Sequence, residues 1–417
     1  MTPHGRLAEL GIAVPELLVP GEKTAPEKWA VIACDQFSSE RSYWEKTASL
    51  VGTAPSTLNL IIPECYLEDG NREERAEKAN AAMAQVMDNG VLEKLEPGFM
   101  LVDRSTPFVS RRRGLVLAVD LESYDFSEGS ESRIRPTEGT IRDRLPPRMA
   151  VRRDALLDLP HILILIDDPE NLVMSAAEAA ADAAGRTVYD FDLLQGGGHI
   201  TGRFVPEEGM DNLAGAFETL AARSDLLFAV GDGNHSLASA REIWREKKTA
   251  GAPPDHPARF ALVEVENIHD PGLPFHPIHR VIFNVNPENL RAYLGNSLGA
   301  VTVEAPRGML GIVFPDGSVL RWNIEVPAGR LAVEPLQDAL DVYLKDHPDA
   351  EIDYIHGEDS VKDLVSAAGN RLGVILPDLD KSTFFRRITE VGPYPRKTFS
   401  IGEAVEKRYY LEARELS

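Results

Sequence analysis

The chain has 417 residues, 43% of them hydrophobic, and a formal net charge of −22. That length supports more than one compact lobe, and the acidic excess argues against a protein that grips nucleic-acid backbones with Lys and Arg. Cys34 and Cys65 are the only cysteines, which excludes a disulfide framework and a four-cysteine zinc site.

The opening Met1-Thr2-Pro3-His4-Gly5 lacks the basic-then-apolar order of a signal peptide. No apolar run approaches the roughly 20 residues of a membrane span. A cytoplasmic protein without a membrane partner is therefore expected.

Along the chain, Trp29 to Cys34 and Leu58 to Ile62 read as early buried strands. Ala76, Ala79, Met83, Val86 and Met87 recur at helical spacing, with Gly90 as a stop. Strands are predicted at Met100–Asp103 and Gly114–Asp120. Ile162 to Ile166 is a continuous apolar run, suited to a strand covered on both faces. An Ala-rich helix follows from Ser175 to Ala184, then a strand over Val188–Asp192 and an amphipathic helix marked by Leu213, Ala216, Phe217 and Leu220.

Leu226 to Val230 predicts a strand, Gly231 to Asn234 a turn and His235 to Lys247 a helix. Further strands are expected at Phe260–Val265, Arg280–Phe283, Leu310–Phe314, Glu351–Ile355 and Leu372–Leu376, and a helix over Leu336–Leu344. Ser400 with Glu403 fits a helix capping box. Strands alternate irregularly with helices, so the expected class is α/β or α+β, a mixed sheet with flanking helices in two lobes. We place those lobes at 1–210 and 211–417, the second containing the Gly231–His235 loop.

Three stretches carry candidate chemistry. In Gly231-Asp232-Gly233-Asn234-His235, the glycines permit close approach and the following helix points its positive end at the turn. Gly231, Gly233 and Asn234 are candidate anion contacts, and Asp232 and His235 candidate catalytic groups. Neither the P-loop ending nor the Gly-x-Gly-x-x-Gly fingerprint is present. The alternative reading is an ordinary strand-to-helix turn.

Between 135 and 148, Arg135, Arg142, Arg144 and Arg148 can clamp phosphate or carboxylate oxygens. Thr137 and Thr140 add neutral donors and Glu138 a base; an internally paired charge cluster is the alternative. Asp168, which with Asp167 lies just past the Ile162–Ile166 run, is a candidate Mg²⁺ ligand with Asp232, or simply a strand terminator.

Trp29-Ala-Val-Ile-Ala-Cys-Asp-Gln-Phe37, Pro55-Ser-Thr-Leu-Asn-Leu60, Arg135-Pro-Thr-Glu-Gly-Thr140, Gly231-Asp-Gly-Asn-His-Ser-Leu-Ala238 and Pro395-Arg-Lys-Thr-Phe399 together resemble the DUF1015 family. The resemblance spans most of the chain and implies no particular activity. Many relatives look like Asp-Gly-His-His-Arg at the turn. Asp232, Gly233 and His235 match that form, whereas Asn234 and Ser236 depart from it. The turn is also similar to phosphate-binding turns in ParB/sulfiredoxin-like proteins, some of which are serine kinases, although the missing Arg weakens a transfer of that chemistry.

The function expected is a metabolic enzyme acting on a small phosphorylated or carboxylated metabolite, with phosphoryl transfer as the working chemistry and Mg²⁺ and a nucleotide as cofactors. A small-phosphate-ester hydrolase and a non-enzymatic metabolite-binding protein stay open beside it.

Overall fold

In the computed structural model, residues 1–67, 69–304, 309–327 and 329–416 are described. The chain forms two compact units, Met1–Leu273 with Glu403–Ser417, and Pro274–Gly402.

Strands of the first unit are β1 (Ile12–Ala13), β2 (Glu16–Pro20), β3 (Leu92–Ser105), β4 (Arg112–Asp120), β5 (Ile134–Pro136), β6 (Leu157–Asp158), β7 (Leu163–Ile166), β8 (Thr187–Asp192), β9 (His199–Pro206), β10 (Phe228–Asp232) and β11 (Phe260–Asn267), with Arg414–Glu415 of the returning segment paired to β6. The main sheet runs β5-β10-β7-β11-β4-β3-β9-β8, with β1 on β4 and β2 on β3. It is mixed: β10 is parallel to β5 and antiparallel to β7, while β11 is parallel to β7 and antiparallel to β4. The chain is thus a mixed α/β fold.

Period-2 alternation sends successive side chains to opposite faces, and here both faces are covered. Phe99, Leu101, Leu115, Leu117, Val263 and Val265 meet the helices Leu172–Ala184, Met210–Ala221 and Asn234–Thr249. Met100, Val102, Val116, Ala118 and Leu262 face a second core containing Trp29, Trp44, Met83 and the C-terminal Tyr409 and Leu411. This double coverage explains why the central strands read as unbroken apolar runs.

Two predicted strands are not formed. Trp29 ends the short helix Pro26–Trp29, and beyond it Ile32 makes one isolated bridge to Tyr409. Leu58 lies in the 3₁₀ turn Thr57–Asn59. Both runs are apolar because they are buried in the second core, and short apolar runs do not report a backbone conformation.

The expected boundary at 210 also moves. The residues on either side of it, β9 and β10, belong to one sheet, and the division falls at Leu273/Pro274 with a return at Gly402/Glu403.

The second unit is an antiparallel sheet built on Phe275–Phe283, which pairs with Glu351–His356, Arg371–Ile375 and Phe399–Ile401. The helices Pro287–Ser297 and Val333–Asp346 contribute Leu290, Leu294, Leu336 and Leu340 to its core. Ser400 lies in the strand Phe399–Ile401, and the capping box is formed by Glu403 and Glu406 instead.

Candidate functional site

β10 ends at Asp232, and Gly233 turns the chain into the helix Asn234–Thr249 with φ +77°. A Cβ at Gly233 would sit 3.1 Å from the Ile162 Cα, so the position combines a left-handed backbone with a close approach. The Asp232 carboxylate accepts from the Gly233 N–H at 2.9 Å and pairs with Lys407 Nζ at 3.0 Å. Burial pushes this carboxyl up, but the Lys407 ammonium and the Gly233 N–H outweigh it and hold it below its ordinary value.

The Arg-rich segment runs beside this turn because β5 is parallel to β10, with Pro136 opposite Val230. The Ile141 N–H donates to His235 Nε2 at 3.3 Å. Two stretches separated by about a hundred residues in sequence therefore meet at one place. In that contact Nε2 is the acceptor, so a neutral His235 carries its proton on Nδ1.

Members of the segment divide by position. Arg142 and Arg144 are exposed in the 3₁₀ turn Arg142–Arg144, with Arg142 over the Phe126 ring. Thr140 is half-buried against the phenol of Tyr124, and Glu138 is half-buried. Thr137 is fully buried and its hydroxyl is committed to Val230 O at 2.7 Å, a structural bond between the two strands. Arg135 is buried and donates to Ser130 O. Burial lowers its guanidinium from the usual value, against the opposing charges of Asp225 and Glu131. Asp225 precedes β10, so Arg135 is engaged at the end of the strand remote from the turn.

Arg148 pairs with Glu64 and donates to Arg144 O at 2.9 Å. Gly231 is half-buried, and Asn234 keeps its Oδ1 buried without a hydrogen-bond partner among the described residues.

The cation site expected of Asp168 and Asp232 is not formed. Asp232 pairs with Leu163 at one end of β7, whereas Asp168 lies beyond Ile166 at the other. Asp168 is fully buried and accepts the Val173 N–H at 2.9 Å, closing the first turn of Leu172–Ala184. No group of three His, Cys, Asp or Glu poised for a metal ion occurs among the described residues. A divalent ion accompanying a phosphorylated ligand would have Asp232 as its nearest protein carboxylate in the turn.

Sequence reasoning missed His161, Lys407 and Tyr410. His161 Nε2 lies 2.8 Å from Ser236 Oγ and 4.0 Å from Asp35 Oδ2, while Nδ1 lies 3.1 Å from the Tyr410 hydroxyl. The apolar run just after His161 was the one local sign that a strand delivers it.

The mixed sheet and the paired turn define an α/β protein with a candidate small-anion site at the end of β10. The chain belongs to the family described as protein of unknown function (DUF1015), which matches residues 19–343. Among solved structures it is similar to SbnI with C-terminal truncation from Staphylococcus aureus, at 11% identity over 69% of this chain and 82% of that one, TM-score 0.35. It is similar to a free serine kinase in complex with AMP, at 10% identity over 72% and 92%, TM-score 0.40. A conserved hypothetical protein from Pyrococcus furiosus is similar at 10% identity over 71% and 90%, TM-score 0.35. No curated protein matches the chain. Among the described residues, no helix is long and apolar enough to cross a membrane.

Proposed function

We propose that the protein is an enzyme that binds a small phosphorylated or carboxylated metabolite at the Gly231–His235 turn and transfers a phosphoryl group, with a nucleotide and Mg²⁺ as the donor pair. The observation that carries this reading is the contact of Ile141 N–H with His235 Nε2, which brings the Arg142–Arg144 turn to the glycine turn. Arg142, Arg144 and Lys407 then neutralise ligand oxygens, and the glycines let the backbone approach them. His235 and Asp232 are the groups beside the ligand that can hold or move a proton, with Glu138 as a further carboxylate on the segment. Such a division matches what phosphoryl transfer asks of a protein, namely positioning and charge neutralisation.

The test is titration calorimetry of ADP and ATP with Mg²⁺, followed by phosphorus NMR of mixtures with phosphorylated and carboxylated hydroxy and amino acids. Saturable nucleotide binding, weakened by Arg144→Ala, and transfer abolished by His235→Ala in a folded protein are expected. Release of inorganic phosphate alone would replace transfer by hydrolysis. Binding without turnover would make the protein a metabolite sensor, and absence of all binding would overturn the reading.

A further inference from the structure

Ser236 lies in the first turn of the helix Asn234–Thr249, and its Oγ is 2.8 Å from His161 Nε2. The other ring nitrogen, Nδ1, is 3.1 Å from the Tyr410 hydroxyl. Tyr410 is itself buried and held by the Cys34 N–H, which donates to its oxygen at 3.3 Å. If Nδ1–H donates to Tyr410, Nε2 is left to accept from the serine, the tautomer a general base requires. The Asp35 carboxylate, 4.0 Å from Nε2, faces the positive charge that forms when the serine proton arrives.

Ser236, His161 and Tyr410 line a cavity of about 120 Å³ whose remaining wall is mainly apolar, including Leu60, Ile62 and Leu159. Such a space, apolar on most of its wall, suits a small acyl group. Arg148 and Arg152, on the same wall, are paired with Glu64 and Asp158, so neither is left free for an anionic group. Cys34 also lines it, but burial pushes that thiol well above its ordinary value, which leaves Ser236 as the nucleophile.

We infer that Ser236 and His161 form a serine nucleophile and general base for acyl transfer from small, uncharged carboxylic esters, with Tyr410 as the positioning residue. In the first half, Ser236 Oγ bonds to the ester carbonyl carbon while its proton passes to His161 Nε2. The carbon–oxygen bond to the leaving alcohol breaks, and the alkoxide takes that proton. In the second half, water attacks the acyl-serine, yields its proton to the same Nε2 and releases the carboxylic acid, with the serine oxygen reprotonated. This chemistry uses neither nucleotide nor phosphate, so it stands apart from phosphoryl transfer at the neighbouring turn.

A fluorophosphonate probe and p-nitrophenyl acetate, applied to the full chain, test it. One adduct is expected on Ser236 by peptide mass spectrometry, with ester turnover that Ser236→Ala abolishes. His161→Gln should slow labelling by at least about 100-fold, the usual range for a lost general base, with the thermal unfolding curve unchanged. Tyr410→Phe keeps the buried ring, and its kcat should fall while KM stays. Two results overturn the inference: no adduct on Ser236 in a protein that unfolds cooperatively, or His161→Gln labelling as fast as the parent. If His161→Gln does not fold, Ser236→Ala decides, since turnover surviving in that variant removes the serine from the chemistry.

Discussion

A carboxylate directly after a strand reads equally well as a metal ligand or as a cap, and Asp168 is the cap. Its Oδ2 accepts the Val173 N–H inside a fully buried site, and Asn267 holds its backbone from the other side. Asp168→Ala should therefore cost about 1–3 kcal/mol, the penalty of leaving a buried donor unmet, in urea unfolding, with ADP affinity unchanged. Asp232 behaves differently. With its carboxyl held below the ordinary value by Lys407, the linked stability is complete above the ordinary carboxylate pKa of about 3.9 and disappears as pH falls through the lower folded value. The Tm advantage of the parent over Lys407→Met, in which burial of Asp232 is no longer opposed by the ammonium, should thus be full at pH 7 and shrink as pH falls through the carboxylate range. His235, Arg142 and Arg144 could be nominated as candidates from the sequence because they sit in motifs. His161 and Lys407 could not, since their partners Ser236 and Asp232 lie far off in the chain and no local periodicity encodes such pairs.

At the scale of elements, long strands and helices were legible wherever the burial pattern had a clear period. The helix Arg72–Asp88 buries Ala76, Ala79, Met83 and Val86 at helical spacing. Trp29–Cys34 misled because its neighbour is the C-terminal segment, which arrives from the far end of the chain: Trp29 Nε1 donates to Leu411 O, and Ile32 bridges Tyr409. That segment is fixed by charge as well as by apolar contact. Buried Arg408 pairs with Glu264 at 3.1 Å and with Glu412, whose carboxylate also accepts the Tyr189 hydroxyl at 2.6 Å. Arg408→Met should lower stability by about 3–5 kcal/mol, the cost of stranding buried partner charges, measured by denaturant unfolding. The Gly233 turn offers a milder perturbation. Gly233→Ala places a Cβ against the Ile162 backbone in a left-handed conformation, and a loss of about 1–2 kcal/mol is expected. Weakened ADP binding should accompany it, as the cradle shifts.

The two-unit organisation of the whole molecule changes which part of the chain the function depends on. All candidate groups, from Asp35 through Arg135, His161 and His235 to Lys407, belong to the first unit, which is completed only when the chain returns at Glu403. The second unit is an insertion whose ends are already joined: Gly402 N–H donates to Pro274 O at 2.9 Å, and Phe275 pairs with Ile401. Sequence composition gave no sign of this, since no biased linker marks either junction and the family match at 19–343 runs across the first of them. Because the insertion's ends are adjacent, replacing residues 274–402 by a linker of about four Gly and Ser residues spans the gap without stretching the chain. The shortened protein should unfold in one cooperative transition and bind ADP within about threefold of the full chain, a difference below about 1 kcal/mol. A soluble, cooperatively folded product that has lost ADP binding would show that the inserted unit supplies part of the site, and would move the search for the remaining ligand contacts to residues 274–402.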